Sequence, residues 1–364
     1  MKKIAIVQRV VTSYRVNFYN RLFDILSKKN IQLTVFAGQS LQKEHFNDGL
    51  DKVKCGKRVK NYYLNKEKIY WQNIFSELGK YDLIIVEQAN SALLNFLLLF
   101  RRYFLKKGPK FAYWGHGQTL HKKGKFLNSK IKKFLSNKAD YWFGYTEHTR
   151  TILNDIGVPD STISIINNSI DISTVKNEKM KNNQKNNKDK TVVFCSRLYK
   201  NKAIPFIIDG CKIAKKEIEN LNLIIIGDGP EKNNIDKLVK DKSWVTMTGS
   251  LYGQEKAKIL IKGDMMALPS HVGLSILDGF AAGLPILVSD FKNHCPEIAY
   301  FDNNKNGLKT KATINDFAQG IIYLCRNPKI LEKMSKNAEK TADKYTIEEM
   351  ASRFGKGVIN ILNN

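Results

Sequence analysis

The chain has 364 residues, 43% of them apolar, which is more than one ordinary core organises, so two domains are the expectation. Sixty Lys and Arg against 34 Asp and Glu leave a formal charge of +26. That points to an anionic partner (phosphorylated ligand, anionic lipid or nucleic acid) unless it is only a Lys-rich solvated surface. No apolar run reaches the roughly 18 residues of a membrane span, and MKKIAIVQRV does not read as a leader. The five Cys, at 55, 195, 211, 295 and 325, form no CxxC pair. This argues against a disulfide framework or structural zinc and suits a reducing cytoplasm.

In chain order, KIAIVQRV reads as a buried strand and VNFYNRLFDILSKK as a helix with Phe18, Leu22, Ile25 and Leu26 on one face. IQLTVFAG, YDLIIVEQ, KFAYWGHG and YWFGYTEH follow as short apolar strands, each succeeded by a helix candidate. Strands alternating with helices imply a parallel sheet covered on both faces, an α/β class. Residues 92–110, ALLNFLLLFRRYFLKKGPK, read two ways: a core helix with a basic end, or an amphipathic patch for anionic lipid. The stretch 121–138 carries seven more Lys, and residues 1–190 hold +20 of the net charge. A membrane-facing first half is therefore expected. KNEKMKNNQKNNKDK, residues 176–190, has no apolar periodicity and reads as a linker.

The alternation then restarts with TVVFCSRL, LNLIIIGDG, WVTMTGS, DMMALPS and LPILVSD as strands, and helices at 314–326, 328–341 and 346–362. The whole reads as two Rossmann-like, doubly wound domains facing a cleft, with ligands outside the carboxyl ends of the strands.

Three segments carry candidate chemistry. Arg197 and Lys202, just past a strand, are suited to a diphosphate, or are simply solvated. Gly229, in IIIGDGP, allows a tight turn or close ligand approach. In HVGLSILDGF, Gly273, Leu274 and Ser275 lead into a helix whose free N–H groups suit phosphate. Asp278, one turn on, can accept from both hydroxyls of a ribose, or is a buried acid favoured by the helix dipole. In the first half, His116 and Gly117 follow an apolar strand, and flanking glycines make His116 a loop group rather than a core one. Arg15 either meets an acceptor phosphate or sits at a helix start.

The order and spacing of SRLYKNKAIPFI, IIIGDGPEKNN, GLSILDGFAAGLPILVSD and PEIAYF resemble the donor-binding domain of family 4 glycosyltransferases, in particular bacterial surface-polysaccharide transferases. The resemblance covers about 170 residues and implies a GT-B fold and a retaining transfer from a nucleotide diphosphate sugar. By it, Arg197 and Lys202 contact the diphosphate, Asp278 holds the ribose, Glu297 matches the acid of the PE element, and His116 lies near the transferred sugar. Ser270 stands where the family has its first Glu, so recognition of the sugar ring departs from the family pattern. The implied division is an acceptor domain at 1–175, a linker at 176–190, a donor domain at 191–345, and a helix at 346–364 able to pack back on the first domain. No cofactor or essential metal is expected. The expected partners are the nucleotide sugar, a saccharide or polyprenyl-linked acceptor, and an anionic membrane surface. The implied place is the cytoplasm, peripheral at the inner face of the plasma membrane. Two other functions compete: a nucleotide-sugar epimerase of the same fold and a nucleic-acid-binding protein. The second is disfavoured because Phe in FLNSKIKKFLSNK falls at helical spacing rather than as a stacking platform. The missing Glu also admits a relative that binds nucleotide without turnover.

Overall fold

The computed structural model describes residues 1–41, 48–105, 107–117, 137–182 and 189–363. The chain divides into two compact units, Met1–Asp171 with Ile347–Asn364, and Ile172–Thr346.

The first unit is built on a seven-stranded sheet. Its strands are β1 (Lys2–Gln8), β2 (Ile31–Ala37), β3 (Gly56–Arg58), β6 (Leu83–Glu87), β7 (Lys110–Gly115), β8 (Tyr141–Gly144) and β9 (Ile163–Ile165), in the order β3-β2-β1-β6-β7-β8-β9. A separate hairpin, β4 (Asn61–Leu64) with β5 (Ile69–Gln72), is inserted after β3. All pairings in the large sheet are parallel. Both faces are covered, so the central strands are unbroken apolar runs; Ile4, Ala5 and Ile6 are wholly buried. One face is packed by α1 (Val16–Ser27) and by the last helix of the chain, Ile347–Asn363. There Phe354 stacks on Phe143 at 4.1 Å and meets Phe18 at 5.4 Å. The other face is packed by α2 (Phe75–Leu78), by Leu94, Leu98 and Leu99 of α3 (Leu93–Tyr103), and by Leu153 of α4 (Glu147–Asp155).

The second unit begins with α5 (Ser173–Lys181). The linker expected from residue 176 thus starts inside a helix; residues 183–188 lie outside the described residues. Its Lys-rich composition hid a packed face. Val175 and Glu178 are buried, and Lys179 donates to the Ala282 carbonyl at 3.0 Å while pairing with Glu339. Six parallel strands follow: β10 (Lys190–Cys195), β11 (Leu221–Ile226), β12 (Val245–Gly249), β13 (Met265–Ala267), β14 (Ile286–Ser289) and β15 (Gly307–Thr310). Their order is β12-β11-β10-β13-β14-β15. The helices are α6 (Ile204–Ala214), α7 (Lys232–Val239), α8 (Gly253–Leu260), α9 (Ser275–Ala281), α10 (Ile314–Arg326) and α11 (Pro328–Lys344); α12 is the Ile347–Asn363 helix already described. Strand order reverses between β10 and β13. That is the switch point at which doubly wound sheets take ligands, outside the carboxyl ends of the two strands.

Among the described residues no helix is long and apolar enough to cross a membrane. Of the basic stretch 121–138, residues 121–136 lie outside the described residues.

Candidate functional site

The loops after β10 and β13 converge at this switch point. Beyond Cys195 the chain runs through Ser196, Arg197 and Leu198, held down by the loop after β11. Gly227 and Gly229 have φ of 150° and 158°, and a Cβ on them would lie 2.0 Å from the Ser196 carbonyl oxygen and 2.6 Å from that of Leu198. These glycines let two loops touch and so place Arg197. Gly229, expected as a ligand-approach glycine, is accounted for by that contact. The Arg197 guanidinium lies over the Tyr199 ring at 5.1 Å.

Lys202 ends a short 3-10 turn and is only 7% exposed. Its Nζ donates to the His271 carbonyl at 2.6 Å, bridging the loops that follow β10 and β13. Ala203 beside it and His271 both adopt left-handed backbone, φ 53° and 47°. Such strain in non-glycine residues persists where surrounding structure dictates it, and it clusters at ligand sites. Burial pushes the Lys202 ammonium below its ordinary value, with the Cys295 thiol and the Glu297 carboxylate partly opposing. Glu297 is itself buried, in the turn Pro296–Tyr300. A buried cation next to open space is poised for an anion.

Space opens at Gly273, where a Cβ would find only the Cys295 sulfur, 3.9 Å away. Leu274 caps α9, a helix of seven residues, and Ser275 Oγ is buried with no hydrogen-bond partner among the described residues. Asp278, on the same helix and 4% exposed, accepts from Lys256 Nζ through both oxygens, at 2.8 and 2.9 Å. Burial opposes the charge on Lys256, but the Asp278 carboxylate outweighs it and holds the ammonium above its usual range. The same pair brackets the end of β10: burial, then Asp278, push the Cys195 thiol up to about 12 while Lys256 opposes. Lys256 was not singled out in the sequence. It lies on α8, 22 residues before Asp278, one Lys among many.

His294 was missed for the same reason. Its Nδ1 accepts from the Val272 N–H at 3.4 Å and its Nε2 faces the Ser289 carbonyl at 3.0 Å. This pair of bonds requires the neutral ring with its proton on Nε2. Burial, joined by the Lys309 and Lys202 charges, holds His294 below its ordinary value, the Ser289 bond opposing. The folded state therefore resists protonation more than the unfolded chain does. Its stabilising contribution is full above the unfolded value near pH 6.5 and is lost as pH falls through that value toward the folded one. Melting temperature should fall between pH 7 and pH 5.5, and His294→Gln should flatten that slope. An equal slope in both proteins would remove His294 as the cause.

In the first unit, the predicted residues gather at the carboxyl edge of β7 and β8. His116, half-buried, meets the Tyr145 ring edge-on at 4.3 Å. The Gly117 N–H donates to Gln88 Oε1 at 2.9 Å. Arg15 is 8% exposed, donates to Asn168 Oδ1 at 2.6 Å, and lies 5.3 Å from the Trp114 ring and 6.0 Å from that of Tyr145. It therefore anchors the start of α1 to the turn after β9, the second of its two sequence readings. Glu87, at the end of β6, escaped the sequence reading; burial raises its carboxyl, with Arg9 and Arg15 opposing. The structure thus places Arg197 and Lys202 after β10, Gly273, Leu274, Ser275 and Asp278 after β13 and on α9, and Glu297 after β14, with Lys202 reaching the β13 loop and the Glu297 turn; His116 and Gly117 lie in the first unit. Among the described residues no cluster of His, Cys, Asp or Glu could hold a metal ion.

Residues 175–341 match the family model of glycosyl transferases group 1. The chain is 28% identical over 173 residues to an alpha-monoglucosyldiacylglycerol synthase of Acholeplasma laidlawii, covering 45% of this chain and 42% of that enzyme. It is 26% identical over 184 residues to a poly(ribitol-phosphate) alpha-N-acetylglucosaminyltransferase of Staphylococcus aureus, covering 48% and 36%. Both matches thus span less than half of the relative's own length. In fold, the crystal structure of Anabaena HepE in complex with UDP superposes with a TM-score of 0.70 at 15% identity, over 99% of this chain and all of that one.

Proposed function

We propose that the chain, whose residues 175–341 match the family model of glycosyl transferases group 1 and whose fold is that of the UDP-bound HepE structure, is a glycosyltransferase that moves a sugar from a nucleotide diphosphate sugar to a polyprenyl-linked saccharide. The setting proposed is bacterial capsule, O-antigen or related surface-glycan assembly, in the cytoplasm at an anionic membrane surface, with retention of anomeric configuration. The observation that carries this reading is the switch point itself. Two cations, Arg197 and Lys202, and the open space at Gly273 fall where β10 and β13 part, one helical turn before the buried carboxylate of Asp278.

The chemistry follows from those charges. Departure of the nucleoside diphosphate concentrates negative charge on the bridging oxygen and the β-phosphate. Arg197 meets it with paired hydrogen bonds and Lys202 as a compact charge, both fixed beforehand, which is how a site lowers a barrier without reorganising. Lys202 would exchange the His271 carbonyl for a phosphate oxygen. Asp278 would take the ribose hydroxyls while Lys256 neutralises it. The acceptor hydroxyl loses its proton to the leaving phosphate on the same face of the sugar, so no covalent protein intermediate is required. Arg197 and Lys202 meet the phosphate charge themselves, and activity in EDTA is expected to match that in magnesium. His116 is assigned to the transferred sugar or its acceptor.

The test follows nucleotide release from UDP-, GDP- and CMP-sugars without acceptor, UDP-sugars first because HepE was crystallised with UDP. One donor should be hydrolysed slowly by the wild type, and Arg197→Ala should lose most of that turnover. No nucleotide binding at millimolar concentration would sink the assignment.

A further inference from the structure

The outer face of α3 is apolar where a surface helix should be polar. Leu94, Leu98 and Leu99 are buried against the sheet, yet Leu93, Phe96, Leu97, Phe100 and Tyr103 form a second apolar row on the opposite side, continued by Phe104 and Leu105. The spacing 93, 96, 97, 100, 103/104 is that of one helix face. Phe100, Phe104 and Leu105 are 49%, 56% and 54% exposed. Phe100 stacks on Phe104 at 5.1 Å, and Tyr103 meets Phe104 at 5.0 Å. Scattered exposed apolar residues are ordinary. Here seven of the seventeen large apolar side chains exposed among the described residues fall within thirteen positions, which is a patch.

The charge around the patch selects its occupant. Between Glu87 and Asp140 the sequence has no acidic residue and twelve Lys or Arg, of which Arg101, Arg102, Lys107, Lys110 and Lys138 are among the described residues. Arg101 and Arg102 close the helix, Lys107 follows, and the Lys138 ammonium sits 4.5 Å from the Tyr103 ring centroid. An apolar row bordered by cations, with Asp140 already paired to Arg102 at 2.8 and 3.0 Å, matches the boundary between anionic headgroups and acyl chains. Nucleic acid would leave Leu93, Leu97 and Leu105 without a partner, and a second copy would bring like charges together.

We propose that this outer face of α3, with Phe104 and Leu105, is a membrane-docking wedge that inserts into the headgroup region of an anionic bilayer. The proposal rests on the reading of a membrane-held acceptor and names the side chains that carry the protein to it. Insertion places the first unit at the surface.

The experiment is flotation of the full-length protein with vesicles of phosphatidylcholine alone or three parts phosphatidylcholine to one part phosphatidylglycerol. A Phe100→Trp variant is added to vesicles bearing brominated acyl chains, and sedimentation velocity is run in parallel. The wild type should float with the anionic vesicles. The pair Phe100→Glu and Phe104→Glu, both at exposed positions, should weaken that binding about ten-fold or more with unchanged melting temperature. Bromine should quench the new tryptophan. Flotation without quenching, or with the double variant binding as the wild type does, overturns the wedge in favour of surface charge alone. A dimer that the double variant dissolves, with no vesicle binding, overturns it in favour of contact between copies. Nucleotide binding, read on the same samples by calorimetry, is expected to be equal in all variants. Its absence would instead mark failure of the donor assignment.

Discussion

Lys202→Ala is expected to lower kcat/KM for the donor by about 10²–10³-fold, roughly 3–4 kcal/mol of transition-state stabilisation. The size follows from burial. Lys202 is 7% exposed, so its charge acts on a phosphate with little water between. Folding should hardly notice the change. Burial already works against this ammonium, and the variant gives up only one bond to the His271 carbonyl, about 1 kcal/mol, in return for losing a buried charge. A large kinetic loss at an unchanged melting temperature is therefore the signature. Lys202→Arg should not restore activity, because a planar fork is longer and wider than the space that ends on the His271 oxygen. Turnover within three-fold of the wild type would show that the diphosphate binds elsewhere.

Asp278→Ala should do the opposite and cost stability first. The carboxylate is 4% exposed and takes both of its close contacts from Lys256. Its removal strands a largely buried ammonium beside Cys195 at the end of β10. Breaking one side of a buried pair costs about 3 kcal/mol, visible as a drop of several degrees in melting temperature. The double change Asp278→Asn with Lys256→Met removes both charges and should recover most of that stability while donor binding stays lost. Recovery of binding along with stability would assign Asp278 a purely structural role. The sign of the pH dependence is also fixed. Lys256 is held above its ordinary value, so its contribution is fully present at neutral pH and is lost only as pH rises through the folded value. Alkaline softening of the wild type should therefore be absent in the double variant.

Local signals were legible in the sequence and long-range partnerships were not. Ile4 to Val7 and Val192 to Phe194 are continuous apolar runs because both faces of a parallel sheet are covered, and that pattern reads directly as strand. Arg197, Lys202 and Asp278 were singled out by strand ends together with the family 4 resemblance, and the structure places the first two after β10 and Asp278 on α9. Lys256 and His294 were not, since nothing in their immediate neighbours marks them; each acquires its role from a loop or helix about 22 residues away. The Lys-rich later part of α5, from Lys176, read as linker because composition outweighs the burial of Glu178 and of Val175 just before it. Arg15 read as meeting an acceptor phosphate or sitting at a helix start. Only the fold could show Trp114, Tyr145 and Asn168 closing around it.

The return of α12 to the first unit bears on the order in which the protein is made. Phe354, Val358 and Ile361 belong to the core around Phe18, Leu22 and Phe143, although more than 170 residues of the other unit are synthesised between them. When the ribosome has finished residue 346, the later-made unit already holds all six of its strands, while the earlier-made one still shows an uncovered apolar face. The first domain to emerge is thus the last to be complete, and during that interval it is the part of the nascent chain that a chaperone must shield.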